Sequence, residues 1–383
     1  MRLSDGDAHR LLREGVDAWR QGQMAAARER FEALTRSGRA NSQIWLLLAT
    51  ACRATGDGAA EEAALDGLLH VEPRNVRARI MKGDCRLRAG DEGSAHGFYA
   101  SAVQIAAGQT VPPDLVAELS RAESAAADLK GRRLSKREAV LAAEGLPPEE
   151  RSARFQQSLD IFGGRKTVFV QQPTSYYFPE LPQIQFFDPA VFDWAGAVEA
   201  SAGTIREEAE RLLASGLEGF KPYIRTDPNR PRLDDSPLRD NQDWSALFLC
   251  ENGQVFEEAV ARCPRTWEAV QAAPLPHMAN SPTVMFSLLR AGARIPAHTG
   301  THNTRLVCHL PLFVPPGCGF RVGNEVRAWE EGKLLVFDDT IEHEAWNDSG
   351  EDRLVLIFDI WRPELSAHER SEVAALFKAF SLE

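Results

Sequence analysis

The chain has 383 residues, 44% hydrophobic and 26% charged, with a formal net charge of −11 at pH 7. That length exceeds one average domain and suffices for full hydrophobic cores. The acidic balance argues against nucleic acid or an anionic membrane as a partner held by long-range attraction.

No apolar leader core follows Met1-Arg2-Leu3-Ser4-Asp5, and apolar runs such as 354–360 fall short of a membrane span. The six cysteines form no CxxC pair, so buried thiols in a reducing cytoplasm are expected rather than a disulfide framework or a zinc site.

The first third repeats. Gly22, Gly56 and Gly90 recur at intervals of 34 residues, as do the small residues Gly15, Ala49 and Gly83. Phe31, Leu65 and Tyr99 form a bulky column, and Leu34, Leu68 and Ala102 an apolar one. A period of 34 with small residues where paired helices cross is the signature of tetratricopeptide repeats. Units at 8–41, 42–75 and 76–109 predict a short α-helical solenoid, although Glu61 stands where Ala27 and Ala95 stand. Such arrays bind peptides or protein segments on a concave face, or serve only to dimerise or prop up a neighbour.

Pro112-Pro113 closes the array and starts a helix expected to reach about Lys130. The domains predicted are a repeat region over 1–130, a helical linker over 131–164 and a second domain over 165–383. Val168-Phe169-Val170 reads as a strand, 194–214 as a helix and 226–243 as a long polar loop suited to a lid or substrate contact. Trp244 opens another strand, and short helices are expected near 254–261 and 265–272. Strands are expected at 283–290, 305–313, 319–322, 333–337 and 353–360, broken by turn residues. Many short strands of this kind suggest a sandwich or jelly roll. Ser366 is placed to cap a final amphipathic helix through Phe380.

Two blocks carry the chemistry. Pro296-Ala297-His298-Thr299-Gly300-Thr301 precedes one strand, and Phe337-Asp338-Asp339-Thr340-Ile341-Glu342-His343 leads to Arg353. Together with Phe358-Asp359-Ile360-Trp361-Arg362-Pro363, these blocks resemble the aspartyl/asparaginyl β-hydroxylases, whose catalytic domain often follows tetratricopeptide-like repeats. The resemblance covers about 170–365 and is densest over 283–365. It implies a double-stranded β-helix, or jelly roll, with flanking helices. It also implies a dioxygenase that uses Fe(II), 2-oxoglutarate and O₂ to hydroxylate a carbon, here the β-carbon of an Asp or Asn residue in a protein or peptide that the repeats present.

The residues suit that chemistry. Neutral imidazoles suit Fe(II), which needs open positions for a keto-acid and O₂. By resemblance, His298 and His343 hold the iron, and Gly300 stands where most such oxygenases carry a third, carboxylate ligand. Arg353 would grip the far carboxylate of 2-oxoglutarate with a bidentate fork, aided by Ser287, His309 and Trp244. Arg305 matches an arginine of the substrate side, whereas Val307 replaces a second arginine that holds an acidic substrate. Asp338 and Asp339 are expected to fix the turn or to orient a ligand histidine. Other readings stay open: His309 as a hydrogen-bonded core residue, Trp329 as core or pocket wall, a lipid or small-molecule acceptor, and a non-catalytic repeat scaffold with a vestigial barrel.

Overall fold

The computed structural model describes residues 4–226 and 236–380. The chain divides into two compact units, Met1–Ser158 and Leu159–Glu383.

In the first unit three helix pairs follow the predicted repeats: α1 (Asp5–Arg20) with α2 (Met24–Arg36), α3 (Ser42–Ala54) with α4 (Gly58–Val71), and α5 (Val76–Arg88) with α6 (Glu92–Ala106). The periodic columns have physical causes. A Cβ on Gly15 would lie 2.8 Å from the Phe31 ring, and one on Gly83 would lie 2.5 Å from the Tyr99 ring, so the small residue lets the paired helices meet. Gly22, Gly56 and Gly90 have φ of +75°, +76° and +78°, the left-handed conformation that ends a helix cheaply only at glycine. Side chains of Asn41, Asp57, Asn75 and Asp91 cap the next helices by accepting from backbone N–H groups. Glu61, the odd residue in its column, is buried and paired with Arg88 and Arg53.

The helix after the array is longer than expected. α7 (Pro113–Ala143) runs 31 residues without a break and packs on α6, burying Leu115, Ala122 and Leu129. Gly131 lies within it, because one glycine costs a helix only about 1 kcal/mol against alanine. The expected boundary at 130 therefore falls inside a helix. α8 (Ala153–Phe162) follows.

The second unit is rich in antiparallel sheet, as expected. Its strands are β1 (Phe186–Phe187), β2 (Lys221–Pro222), β3 (Trp244–Glu251), β4 (Gln254–Val255), β5 (Val284–Leu289) and β6 (Arg294–His298). Then come β7 (Arg305–Phe313), β8 (Cys318–Val322), β9 (Glu325–Arg327), β10 (Leu335–Phe337), β11 (His343–Asn347) and β12 (Arg353–Trp361). Among the described residues one sheet of eight strands has the order β1-β10-β7-β12-β5-β3-β2, with β4 beside β3. The other, of four strands, runs β6-β11-β8-β9. The helices are α9 (Ala195–Ala200), α10 (Ala202–Ala214), α11 (Glu257–Arg262), α12 (Pro264–Val270) and α13 (Ala367–Phe380).

Period-two alternation decides which face each residue meets. One face of the large sheet packs with α9 to α12 in a core that includes Phe286, Leu288, Leu356 and Phe358. The other face, with Met285, Val307, Val355 and Ile357, meets Ile295, Phe320, Val322 and Ala345 of the small sheet. The candidate site lies in this second layer. Glu208 of α10 receives the backbone N–H groups of Arg265 and Thr266, capping α12. Ser366 and Glu369 form a reciprocal capping box at α13.

The segment Val168-Phe169-Val170, expected as a strand, is not one. Val168 and Val170 are exposed, and the chain here is held by isolated bonds such as Gln172 N–H to the Thr340 carbonyl. Its β-branched residues lack the neighbouring strand that would give their propensity effect. Half of the expected lid loop over 226–243, residues 227–235, lies outside the described residues. No helix among the described residues is long and apolar enough to cross a membrane.

Candidate active site

His298 ends β6 and His343 begins β11, and the two are cross-strand register partners. Their ring centroids lie 4.1 Å apart. Nδ1 of His298 is 2.8 Å from the Pro296 carbonyl, and Nδ1 of His343 is 3.1 Å from the Ile341 carbonyl. A carbonyl only accepts, so each Nδ1 carries the proton and each Nε2 keeps a free lone pair. Desolvation lowers both pKa values, that of His343 to about 3, which keeps both rings neutral. Two neutral imidazoles with free Nε2 atoms, this close, suit a divalent metal.

The third position is physically closed to a side chain. A Cβ on Gly300 would lie 2.1 Å from Oδ2 of Asp339. Among the described residues no group of three or more His, Cys, Asp or Glu side chains gathers as a metal cluster. Asp339 is buried, its Oδ1 has no hydrogen-bond partner, and burial pushes its pKa up to about 6 despite Arg305.

The expected role of the two aspartates divides. Asp338 does fix the turn, accepting from the Thr340 backbone N–H and hydroxyl, from Gln171 and from Arg362. Neither aspartate side chain orients a histidine; backbone carbonyls do that instead.

Arg353, at the start of β12, is 1% exposed. Its guanidinium lies 4.7 Å above the Trp329 ring and 3.5 Å from the Ser287 hydroxyl. Trp244 donates Nε1–H to the same hydroxyl at 3.1 Å. Ser287 thus accepts twice and keeps its own proton to donate. No carboxylate ion-pairs with Arg353 among the described residues, its Nε is unpartnered, and desolvation lowers its pKa to about 10. His309 lines the same cavity with Nδ1 buried and unpartnered. Desolvation, then Arg353, holds its pKa well below normal, so it is neutral. It is not the hydrogen-bonded core histidine of the alternative reading.

All seven residues singled out in the sequence (His298, His343, Arg353, Ser287, His309, Trp244 and Arg305) line one cavity of about 980 Å³. That is near the upper end of the roughly 300–1,000 Å³ usual for ligand pockets. Arg305 is already engaged, at 2.6 Å from Asp359 and 3.2 Å from Asp339. Sequence reasoning missed Tyr223, which stacks on Trp244 with centroids 4.0 Å apart and lines the cavity. No local motif marks it. The role of Trp329 under Arg353 was equally invisible, because the two meet only through the fold.

Comparison with known proteins follows the same division. Residues 199–363 match the family described as aspartyl/asparaginyl beta-hydroxylase, and residues 12–69 and 59–110 match the tetratricopeptide repeat. The chain is 38% identical over 144 residues to a human aspartyl/asparaginyl beta-hydroxylase, covering 37% of this chain and 19% of that one. It is 38% identical over 182 residues to an ornithine lipid ester-linked acyl 2-hydroxylase of Rhizobium tropici, covering 46% and 60%. It is 30% identical over 216 residues to the human aspartate beta-hydroxylase domain-containing protein 2, covering 54% and 55%. The chain spans less than two thirds of the length of each of these relatives.

Proposed function

Because residues 199–363 match the aspartyl/asparaginyl beta-hydroxylase family, we propose that this chain is an Fe(II)- and 2-oxoglutarate-dependent hydroxylase of an unactivated carbon. The observation that carries the reading is Arg353, a buried guanidinium with no carboxylate partner among the described residues, in the cavity that holds the paired imidazoles. Burying a cation without a counter-charge is costly unless a ligand supplies one.

His298 and His343 would hold the metal through Nε2. Arg353 would take the far carboxylate of 2-oxoglutarate, with the Ser287 hydroxyl donating to it and Trp244 fixing that hydroxyl. His309, neutral and with Nδ1 unpartnered, would supply a further donor or acceptor at the same end. When bound, the iron supplies O₂ activation. Asp339, with one free carboxylate oxygen, can take or hold a proton near neutral pH, since its pKa is about 6.

The balance is that of a mixed-function oxygenase. One oxygen atom of O₂ enters a C–H bond as hydroxyl, and the other enters succinate as CO₂ leaves. The C–H carbon and 2-oxoglutarate each lose two electrons, and O₂ takes up the four.

Anaerobic titration with Fe(II) and 2-oxoglutarate, followed by admission of air, tests the reading. Succinate release that depends on both additions supports it. Absence of iron binding and of succinate overturns it in favour of a scaffold. The relatives' names divide the acceptor between Asp/Asn residues and lipid acyl groups, and Val307 bears on that choice.

A further inference from the structure

Among the described residues four charged side chains line the cavity: Arg353, Arg305, Asp339 and Asp359. The reading above gives Arg353 to 2-oxoglutarate, which leaves one cation and two carboxylates facing the acceptor. Arg305 donates through Nη1 to Asp359 Oδ2 at 2.6 Å and through Nη2 to Asp339 Oδ2 at 3.2 Å. Asp359 Oδ2 also accepts from the Ser281 hydroxyl at 2.8 Å and the Thr283 backbone N–H at 3.1 Å. This end of the cavity therefore holds a surplus negative charge. All of these bonds end on Oδ2 atoms. Asp339 Oδ1 is buried without a partner, and Asp359 Oδ1 receives no donor among the described residues.

A second observation comes from another residue. His302 lies two positions after Gly300, is 2% exposed and lines the same cavity. Its Nδ1 is 2.8 Å from the Thr304 hydroxyl, and its Nε2 has no partner among the described residues. Burial, then the charge of Arg305, keeps the ring neutral. With Nδ1 protonated and donating to Thr304, Nε2 presents a lone pair. Three unspent acceptors are thus gathered about one guanidinium whose Nη atoms are both engaged. Buried acceptors without donors are costly, so a guest rich in donors completes the set. A neutral amide brings N–H groups but leaves the surplus charge. An ammonium or guanidinium brings both donors and the missing positive charge. An acidic acceptor meets like charge instead. The net charge of −11 on the whole chain draws the same class of partner at long range. Asp339 fills the space beside Gly300, two residues from His298, so a nitrogen held there keeps its attached methylene groups near the imidazole pair.

We propose that the acceptor is a basic side chain, lysine or arginine, whose nitrogen is held by Asp339 Oδ1, Asp359 Oδ1 and His302 Nε2 while one of its methylene carbons is hydroxylated. These three residues then determine specificity, and Arg305 sets the spacing of the two carboxylates. One atom of O₂ enters the methylene C–H bond, and the other enters succinate as CO₂ leaves. The inference rests on the dioxygenase reading, and its test separates the two. The Fe(II)- and 2-oxoglutarate-loaded full chain is assayed for succinate with no acceptor, with acetyl-Gly-X-Gly-amide in which X is lysine, arginine, norleucine or aspartate, and with free lysine and free arginine. A basic acceptor is expected to raise succinate release at least tenfold and to gain one oxygen atom, the peptide and free arms showing which form is used. Norleucine, which lacks only the nitrogen of lysine, and aspartate are expected to leave the rate unchanged. Oxygenation of either in place of a basic acceptor overturns the proposal, as does acceptor-free succinate that no basic acceptor raises. Failure of every arm, the acceptor-free one included, overturns the dioxygenase reading instead. Calorimetry on the metal-free chain then decides the acceptor: a basic peptide is expected to bind at least tenfold more tightly than the norleucine peptide, and equal or absent binding rejects the proposal. Asp339→Asn and His302→Leu, checked for folding by circular dichroism, are each expected to weaken binding of the basic peptide at least tenfold. Unchanged affinity in both also rejects it.

Discussion

The Cβ that any side chain at position 300 would need lies 2.1 Å from Oδ2 of Asp339, which is buried and bonded to Arg305. Glycine here follows from a carboxylate of the opposite turn that already fills the space. Gly300→Asp is therefore expected not to install a third metal ligand but to lose about 1–3 kcal/mol of stability through overpacking. Asp339→Gly in the same chain is expected to recover part of that loss. Chemical denaturation of the two variants checks this, and a Gly300→Asp chain as stable as the parent contradicts it.

Arg353 presents function and stability in opposition. Arg353→Met removes an unpaired buried cation and is expected to raise the stability of the ligand-free protein by about 1 kcal/mol or more, since apolar replacement of buried charge often stabilises. The same variant is expected to lose 2-oxoglutarate binding. Arg353→Lys keeps a charge without the planar fork, and its KM for 2-oxoglutarate is expected to rise at least about tenfold, or about 1.4 kcal/mol. Thermal melts and succinate assays read the two effects separately.

Metal removal offers a further check. A ligand that binds only the folded state stabilises it by about 2.7 kcal/mol at a hundredfold excess over Kd. Fe(II) under anaerobic conditions is expected to raise the Tm of the chelator-stripped protein. That increment is expected to vanish in His298→Ala and in His343→Ala. A full increment in either variant would place the metal elsewhere.

Arg362 and Asp338 form an ion pair at 2.6 Å with both side chains fully buried, and Gln171 donates to the same carboxylate oxygen. Removing one partner leaves the other charged and dry. Asp338→Ala is expected to cost about 3–5 kcal/mol, and Arg362→Met with Asp338→Leu together less than the sum of the single changes. A double-mutant cycle in denaturant measures the coupling.

His302 is 2% exposed, and burial lowers its pKa to about 2. The unfolded chain protonates near pH 6.5, while the native chain stays neutral until about pH 2, so protons favour the unfolded state throughout that window. Stability of the metal-free protein is expected to fall as the pH drops below 6.5, by about 2 kcal/mol from this residue at pH 5. His309 and His343, also held neutral, slope the same way. His302→Gln is expected to flatten the dependence by one proton, read from denaturation at pH 7 and pH 5.

The repeats were legible because their periodic residues have local causes: Gly15 and Gly83 at helix crossings, Gly22, Gly56 and Gly90 at positive φ. The long strands were legible because both their faces are buried, as in β12. β6 and β11 were not. Each has five residues, and β6 contains Pro296 and exposes most of its length. The helix expected to end near Lys130 runs on to Ala143, and Arg132 and Lys136 pair with Glu92 of α6 past that point, contacts between distant residues that local sequence does not show. The engagement of Arg305 was hidden for a different reason. Asp339 and Asp359 reach it from other strands and turns, and nothing in the local spacing shows that a charge is already neutralised.

Among the described residues β6 is an edge strand, paired on one side only, with β11. Half of the imidazole pair thus stands on an edge strand of the small sheet, while His343 sits one strand further in. Peeling β6 away would open the chelate without disturbing the rest of the sheet. On the proposed metal reading, exchange of the ion is expected to follow local fraying, and amide hydrogen exchange along 294–298 to keep pace with the rate at which the ion leaves.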